Sequence, residues 1–574
     1  MSAELGPPWI PGLTRRVSMS RRAFLGTVGA GSLAAALSAC TNNSGAPAPT
    51  GSSPPTSGGD AVGVVPGPQP VTGGTPGGRV VVGWDDEPYA FGDPARAYNL
   101  LDYDVATELV FFGALLAFGG QTGGPIANLA KDMPEVSSDG LELTFKLKPD
   151  VKFHNGRVIE AADFKYAWER VIKPGLRGAW PKGYFSSIAG YEDLRTGKAS
   201  QLEGVEVLNS TTLRVTLQQP DFMFLNTMSQ TFAAPLPQEE VERLGDEQFA
   251  QTPVGFGPYR IESYDKNGQT ALFSRFDDYF WSGLPYADEV EFRWGIDPSV
   301  IVPQLQSAEI DVAGNGLPTD QVNRVLANPE TSGLTEQIPI LQPLWIDVNA
   351  SVAPMDDARV RQAMNWAIDR DAIAKVTANT AYGSPYPADL EGYQPTFTPY
   401  TFDLDKATTL MSDAGVSDGF SVTLTHTVGD ANTAQIVQQQ LAAINIDVTL
   451  NQVGSSAYYD LQGKGDFELM YTGLFLIQPT PGDLVESVYV PTGYANYVGY
   501  DNSEVTKLAG QARQSYDTDK QNDLYAQIEQ LIGDDAPGIY VATARFHAGF
   551  SSGISNYRYR GEYGTYYDRL WVTD

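Results

Sequence analysis

Cysteine is almost absent from this chain of 574 residues: Cys40 is the only one, so no disulfide can form within the chain. Histidine is scarce too, and its three positions (154, 426 and 547) are not at metal-ligand spacing from one another. A histidine-based transition-metal site is therefore not expected. The chain also lacks a Gly-x-Ser-x-Gly elbow and a His-Glu-x-x-His motif, so we expect no enzyme activity, no cofactor and no metal.

Positive charge is in deficit, and the net charge of the whole chain is −31. Residues 1–39 hold four Arg and one Glu, so the remainder keeps 34 basic against 68 acidic residues. A polyanionic partner such as nucleic acid is therefore not expected. After residue 40, no stretch is long and apolar enough to predict a membrane-spanning helix.

The N-terminal segment predicts export and lipid anchoring. Residues 23–39 form a weakly apolar run of 17 residues, shorter than the about 20 apolar residues of a spanning helix, so a signal peptide is predicted over 1–39. Residues 20–25, with Arg21 and Arg22, resemble the twin-arginine export signal, and residues 37–40 resemble a bacterial lipobox. We therefore expect a lipid on Cys40 that holds the protein on the outer face of the cell membrane.

Residues 40–78 are predicted to form a disordered tether. They contain no aromatic residue and few apolar side chains, so they cannot bury enough surface to offset the entropy of ordering. Such a chain has a root-mean-square reach on the order of 35 Å. About 495 residues follow, which predicts two or more domains.

Hydrophobic periodicity alternates between two types along the rest of the chain. Apolar residues alternate with polar ones over 141–147 and 213–217, as in half-buried strands, and recur at helical spacing over 164–171 and 360–367. Residues 420–450 give strand, helix and strand in succession, which is typical of a βαβ unit. The fold class predicted from this mixture is α/β.

Several motifs resemble those of the family 5 extracellular solute-binding proteins, the peptide- and nickel-binding components of ABC importers. A strand and turn are followed by a helix whose residues match the family signature: Phe145, Leu147, Val151, Lys152, Phe153, His154, Asn155, Gly156, Ala162, Asp163, Phe164 and Trp168. Further matching blocks follow in order at 253–260, 278–286, 349–363 and 465–469. We expect His154 to be structural and Gly255 and Gly257 to form a tight crossover rather than a phosphate loop.

The resemblance implies a two-lobed, periplasmic-binding-protein-like fold with an extra domain on the first lobe. By analogy, the first lobe would comprise 79–113, 251–345 and 541–574. The extra domain would be 114–250, and the second lobe 346–540. Such a protein closes on its ligand about a hinge.

The resemblance also suggests which residues line the cleft. On the strand entering the second lobe the candidates are Trp345 and Asn349. On the loop after the Gly-Asp-Phe block they are Tyr471, Phe475 and Asp483. After the first strand of the first lobe they are Glu87 and Asp93. Each aromatic candidate could equally be an ordinary core residue.

This sequence departs from the peptide-binding relatives where charges are expected. Their acid that pairs with a peptide's amino terminus would fall near 474–476, which is apolar here, and residues 423–433 hold His426 but no Arg or Lys. Because a buried charge without a counter-charge is costly, a short peptide held by both termini is a poor fit.

The resemblance implies a monomeric, lipid-anchored receptor that delivers an oligopeptide or other small solute to the transmembrane subunits of an ABC permease. An alternative from a different class is a non-transport lipoprotein of the same fold that regulates cell-envelope assembly through protein contacts. The missing charged anchors keep this alternative open.

Replacing Cys40 tests the anchor. We expect Cys40→Ala to release the protein from the membrane fraction, because no other thiol can carry the lipid, while the fold and any solute binding persist. Fractionation followed by immunoblotting measures this, and a variant that stays with the membrane would contradict the lipid anchor.

Overall fold

The computed structural model describes residues 74–97, 99–118, 125–387, 390, 393–478, 480–560 and 564–573. Their strands, in chain order, are β1 (Arg79–Gly83), β2 (Leu116–Phe118), β3 (Pro125–Ala127), β4 (Glu135–Val136), β5 (Glu142–Lys146), β6 (Val205–Asn209), β7 (Thr212–Thr216), β8 (Tyr259–Asp265), β9 (Thr270–Arg275), β10 (Glu289–Arg293), β11 (Val312–Ala313), β12 (Thr335–Val348), β13 (Thr380–Ala381), β14 (Phe420–His426), β15 (Ile446–Gln452), β16 (Leu469–Gly473), β17 (Gly538–Phe550), β18 (Ile554–Ser555), β19 (Tyr559–Arg560), β20 (Gly564–Thr565) and β21 (Trp571–Val572).

The α-helices of the same residues are α1 (Leu100–Tyr103), α2 (Ala161–Ile172), α3 (Tyr191–Arg195), α4 (Met223–Thr227), α5 (Gln238–Leu244), α6 (Asp246–Gln251), α7 (Pro298–Gln306), α8 (Thr319–Ala327), α9 (Ala358–Trp366), α10 (Arg370–Thr377), α11 (Leu404–Asp413), α12 (Ala431–Ala442), α13 (Ser455–Lys464), α14 (Pro481–Leu484), α15 (Ser503–Arg513) and α16 (Thr518–Asp535). Asp104–Phe111 and Val485–Tyr489 are π-helical. The 3₁₀ turns are Pro181–Phe185, Thr231–Ala233, Ser332–Leu334, Val428–Asp430 and Tyr567–Arg569. None of these helices combines the length and the apolar character needed to cross a membrane.

The main sheet runs in the order β15-β14-β16-β12-β17-β11-β1-β10-β9-β8, and β13 also pairs with β17. The half with β1 and β8–β11 belongs to the predicted first lobe, and the half with β14–β16 to the predicted second lobe. Strands β12 and β17 pair with each other in both halves, so they join the two. A separate antiparallel sheet, β4-β5-β7-β6, lies within the predicted extra domain.

The structure confirms the α/β class and the elements predicted from periodicity. Strands β5 and β7 bury their alternate apolar residues, and α2 and α9 fall on the predicted helical segments. Strands β14 and β15 run parallel on either side of α12 in sequence, so 420–450 is the βαβ unit that the pattern predicted.

Two glycines allow the chain at 253–258 to pack closely against the π-helical segment at 104–111. A Cβ on Gly255 would lie 2.0 Å from the carbonyl oxygen of Val110, and one on Gly257 would lie 2.5 Å from that of Leu109. His154 contacts the same turn through both ring nitrogens. Its Nδ1 accepts from the main-chain N–H of Gly255 (3.3 Å), and its Nε2 lies 3.1 Å from the carbonyl oxygen of Gly257. Burial lowers the pKa of His154 to about 4, so the ring is neutral and structural.

Helix α9 is fixed to the beginning of β17 by two buried side chains. The guanidinium of Arg361 donates to the main-chain oxygens of Met355 (2.8 Å) and Ala536 (3.1 Å). Asn365 donates to the oxygen of Gly538 (2.9 Å) and accepts from the N–H of Tyr540 (3.1 Å). Burial lowers the pKa of Arg361, because its guanidinium is removed from water and contacts carbonyl oxygens instead.

The predicted signal peptide, Cys40 and most of the predicted tether lie outside the described residues. At the end of the tether, the N–H of Gly77 donates to the oxygen of Tyr286 (2.9 Å), and the oxygen of Gly78 accepts from Asp288 (2.9 Å). These last two residues are therefore part of the fold, because they extend the pairing of β1 beside β10.

The carboxylate of Glu529 on α16 is predicted to stabilise the segment that precedes α11. This carboxylate, which is fully buried, accepts hydrogen bonds from Ser384 Oγ (2.9 Å), Tyr393 OH (2.8 Å), Thr396 N (2.8 Å) and Phe397 N (3.1 Å). We expect Glu529→Ala to lower the free energy of unfolding by about 3 kcal/mol, because buried donors lose an ionic acceptor.

Urea unfolding followed by circular dichroism measures this difference. The matched control is Asp523→Ala, since Asp523 is an exposed acid on the same helix. Equal losses of stability in the two variants would contradict the structural role of Glu529.

Candidate ligand-binding cleft

Strands β12 and β17 form the connection about which the two halves could move. Their antiparallel register runs from Thr335 opposite Gly549 to Asp347 opposite Gly538. The ladder is irregular between Pro339 and Pro343, where proline cannot donate a main-chain hydrogen bond, and again just beyond. A break in a two-strand connection is a suitable hinge, because few hydrogen bonds resist bending there.

The loop at 474–483 runs beside this hinge. The N–H of Leu476 donates to the oxygen of Leu341 on β12 (2.8 Å), so the loop continues the path of β16 past the irregularity. The loop then turns around Asp483, whose Oδ2 accepts from the N–H groups of Ile477 (2.9 Å) and Gln478 (3.0 Å). Desolvation raises the pKa of Asp483 to about 6, although these two hydrogen bonds lower it.

The same loop contacts the predicted extra domain. Gln230 Nε2 donates to the carbonyl oxygen of Ile477 (2.8 Å), and Gln478 Nε2 lies 3.5 Å from Thr227 Oγ1. The side chain of Ile477 belongs to a core cluster that the predicted first lobe and extra domain share, while Leu476 belongs to a cluster of the predicted second lobe. The described part of this loop, 474–478 and 480–483, thus contacts both the predicted extra domain and the predicted second lobe.

Trp345 lies on β12 opposite Tyr540 of β17 and belongs to a buried core cluster. It is 4% exposed, and its indole N–H donates to Asp347 Oδ1 (2.6 Å). Beside it is a cavity of about 10 Å³, room for about one water, whose lining includes Pro343, Trp345, Ser384, Tyr540 and Thr543. The predicted aromatic candidate is therefore a buried residue of one of the two connecting strands, and its role in ligand binding stays a prediction.

Asp347 is a buried acid that the sequence analysis did not single out. Burial raises its pKa to about 7, although the indole N–H of Trp345 lowers it. Its Oδ2 has no partner among the described residues. An acid two residues after Trp345, within the apolar end of β12 at 343–348, is the pattern that could have revealed it, since alternate residues share a face.

Asn349 follows the end of β12, and Tyr471 lies on β16 opposite Ile346. Asn349 donates to the carbonyl oxygen of Phe467 (2.8 Å) and accepts from the N–H and hydroxyl of Ser351, which closes the end of the strand. Tyr471 packs in the core on the α9 and α12 side of the sheet, where burial raises its pKa. Phe475 is half-buried within the 474–483 loop. A ligand-binding role for each stays a prediction.

The two acids predicted on the first lobe have different environments. Glu87 is exposed, and its main-chain oxygen accepts from Asn99 Nδ2 (2.8 Å). Asp93 is fully buried and forms a two-point ion pair with Arg170 of α2, at 2.7 and 3.2 Å. The attraction of Asp93 keeps the pKa of Arg170 raised against the opposing effect of desolvation. Asp93 thus ties the first lobe to the predicted extra domain, and the structure does not bring it to the hinge with Trp345 and Asp483.

The fold, in which β12 and β17 join the two halves of one sheet, is that of a solute-binding protein. A family model described as bacterial extracellular solute-binding proteins, family 5 Middle, matches residues 124–496. The chain therefore belongs to the family 5 extracellular solute-binding proteins. Members of this family bind solutes and do not convert them, so the protein is not an enzyme.

Two curated relatives illustrate the sequence similarity. The glutathione-binding protein GsiB of Pectobacterium atrosepticum is 29% identical over 481 residues, which cover 81% of this chain and 88% of the relative. The protein of the same name from Escherichia coli strain K12 is 27% identical over 486 residues, covering 81% and 89%.

Solved structures show the same fold at lower identity. The murein tripeptide-binding protein MppA in its unliganded open form has a TM-score of 0.74 at 21% identity, covering 87% of this chain and 99% of that one. Haemophilus influenzae OppA in complex with the peptide RPPGFSPFR has a TM-score of 0.66 at 21% identity, covering 86% and 98%. These likenesses confirm the two-lobed fold with its extra domain.

Asp347 gives a pH-dependent prediction. Its pKa in the folded protein, about 7, lies above the ordinary value, so its contribution to stability is complete below about pH 4 and is lost as the pH rises through 7. Asparagine cannot ionise. We therefore expect the free energy of unfolding of Asp347→Asn, relative to wild type, to rise between pH 4 and pH 7 by on the order of 4 kcal/mol.

Denaturant unfolding of the two proteins at a series of pH values measures the difference, in which contributions from other groups cancel. A difference that does not change between pH 4 and pH 8 would contradict the raised pKa.

Proposed function

We propose that the protein is the lipid-anchored, extracytoplasmic receptor of an ABC importer and that it binds a peptide-like solute between its lobes. Family membership supports solute binding outside the cytoplasm. The relatives bind glutathione, murein tripeptide and an oligopeptide, so a peptide-like solute is the class that the likenesses favour. The anchor on Cys40, the twin-arginine signal and the tether are parts of this proposal.

The observation that carries the proposal is the pairing of β12 with β17 through both halves of the sheet, with its irregularity at Pro339–Pro343. We take the lobes to be 79–113 with 251–345 and 541–574, and 346–540, with the extra domain at 114–250. These boundaries put the irregularity near the junction of the lobes. Bending there would bring the 474–483 loop and the first lobe together around a ligand.

Binding requires no covalent step. A ligand that contacts both lobes stabilises the closed state over the open one, by as much as it binds the closed state more tightly. The closed form would then dock on the permease. Solute delivery thus depends on a difference between two conformations, which the hinge makes accessible.

The groups near the hinge favour an uncharged mode of recognition. Leu474 and Leu476 belong to the core of the second lobe, and the carboxylate of Asp483 is taken up by the main chain of its own loop. We propose that Trp345 and Phe475 supply apolar contact area, while Asp483 positions the loop. Direct ligand contacts by Asn349, Tyr471, Glu87 and Asp93 remain part of the proposal for mutational testing.

Native mass spectrometry of freshly purified protein should detect a bound solute that is lost on mild denaturation. We expect Trp345→Ala to weaken binding of that solute about tenfold or more, because truncation removes a large buried aromatic surface. Titration with the identified solute, or with glutathione and mixed short peptides, followed by intrinsic fluorescence, measures the affinity.

The matched control is Trp366→Ala, since Trp366 on α9 stacks under Lys406, whose Nζ is 3.5 Å from the ring centre. If the two variants bind the solute with equal affinity, Trp345 does not contribute to solute binding. If the wild type retains no solute and no peptide closes its lobes, the receptor proposal fails and the non-transport lipoprotein is favoured.

A further inference from the structure

Arg545 is a basic side chain at the irregular part of the hinge. It lies on β17 opposite Pro339 of β12, the last paired position before the ladder becomes irregular. Its side chain is partly exposed, and its Nε donates to Thr380 Oγ1 (2.7 Å). Within the described ranges, no carboxylate forms an ion pair with this guanidinium, and its two terminal amino groups have no acceptor. Arg545 is therefore held at one edge, and its other donors can bind a further group.

A second polar side chain without a partner lies two residues further along β17. His547 is 8% exposed, and its Nδ1 has no hydrogen-bond partner among the described residues. Desolvation and the positive charge of Arg545 lower the pKa of His547 to about 4, so the imidazole is neutral and lies near the guanidinium. Alternate residues of a strand share a face, so both side chains lie on the same side of β17. A buried polar nitrogen without a partner is uncommon and indicates a missing hydrogen-bonding group.

These two residues lie where the predicted lobes meet along the edge of β17 that faces away from β12. The carbonyl oxygen of His547 accepts from the N–H of Leu317 (2.7 Å), which belongs to the predicted first lobe. The N–H of Arg545 donates to Asn379 Oδ1 (3.2 Å), and β13 of the predicted second lobe continues the same edge. A group bound by the two side chains would therefore lie at the junction of the lobes.

An anion is the chemical group that this pair fits. A guanidinium binds a carboxylate through two parallel N–H···O bonds, and a neutral imidazole protonated at Nδ1 can donate a third. The chain as a whole has a net charge of −31, so its general field repels an anionic solute. A local cation without an acid partner is therefore needed to hold a carboxylate here, and Arg545 supplies it.

The same face of β17 leads from Arg545 toward Trp345. Thr543 precedes Arg545 by two residues, and it lines the small cavity beside Trp345 together with Tyr540. Trp345 itself lies opposite Tyr540 in the ladder. An extended solute along these strands could thus contact a charged group at one end and an aromatic surface at the other.

We propose that Arg545, with His547 beside it, binds a carboxylate group of the solute. The proposal rests on the proposed function, because it takes the solute to be peptide-like and to lie beside the connecting strands. It adds the substrate class, a peptide-like solute with a free carboxylate, and it makes Arg545 a specificity-determining residue. No covalent step is involved.

Trialanine and trialanine amide test the contact, because they differ only at the carboxyl terminus. The full chain, freed of bound solute with mild guanidinium and returned to buffer at pH 7, is titrated with each peptide by isothermal calorimetry. We expect the wild type to bind trialanine at least about tenfold more tightly than the amide, because the neutral amide cannot form the two-point ion pair.

Arg545→Gln should bind both peptides with equal affinity, because its side chain carries no charge. Arg545→Lys keeps the charge but loses the two-point geometry, so it should keep only part of the preference. His547→Phe, which removes both ring nitrogens, should reduce the preference by a smaller factor. The matched control is Arg293→Gln, which should keep the full preference, since Arg293 is a strand arginine that already pairs with Glu291 (2.7 Å).

A full preference for trialanine in Arg545→Gln would overturn the proposal. An equal loss of affinity for both peptides would overturn it too, because it would show that Arg545 only holds β13 through Thr380. If the wild type binds both peptides equally, the carboxylate site fails while solute binding stands. If it binds neither, the site fails for peptides, and native mass spectrometry decides separately whether the receptor proposal survives.

Discussion

The antiparallel pairing of β12 with β17 is the constraint on which the rest of the structure depends. These strands supply hydrogen bonds to both halves of one sheet, so neither half has an independent edge at their junction. The two prolines within β12 remove donors from the ladder near the predicted junction of the lobes. A continuous backbone connection with a local loss of hydrogen bonds can bend without unfolding either half.

Several residues of the family signature hold main-chain segments of the fold in place. Arg361, in the block that follows β12, binds main-chain oxygens beside the beginning of β17. His154 and the glycines at 255 and 257 fix a crowded turn in the first lobe. These residues resemble the family because the fold requires them, which is why they reveal the class of protein and say little about its solute.

In the proposed function, solute recognition depends on the segments in which this chain differs from peptide-binding relatives. The 474–483 loop places leucines where a charged anchor was expected, and its one acid binds its own main chain. Asp347 is buried beside Trp345 with a raised pKa, so much of its charge is suppressed near neutral pH. Apolar contact and main-chain hydrogen bonds are therefore the interactions that this part of the cleft offers.

Local periodicity by itself determined β5, β7, α2, α9 and the β14–α12–β15 unit, because each depends on residues close in sequence. The motifs in their order determined the two-lobed class. Tertiary structure decided the partners: Asp93 meets Arg170, and Asn349 meets Phe467. It also brought out Asp347 and joined Asp221 to Arg513 across 292 positions. Such pairings depend on how distant segments pack against each other, and no spacing along the chain encodes that geometry.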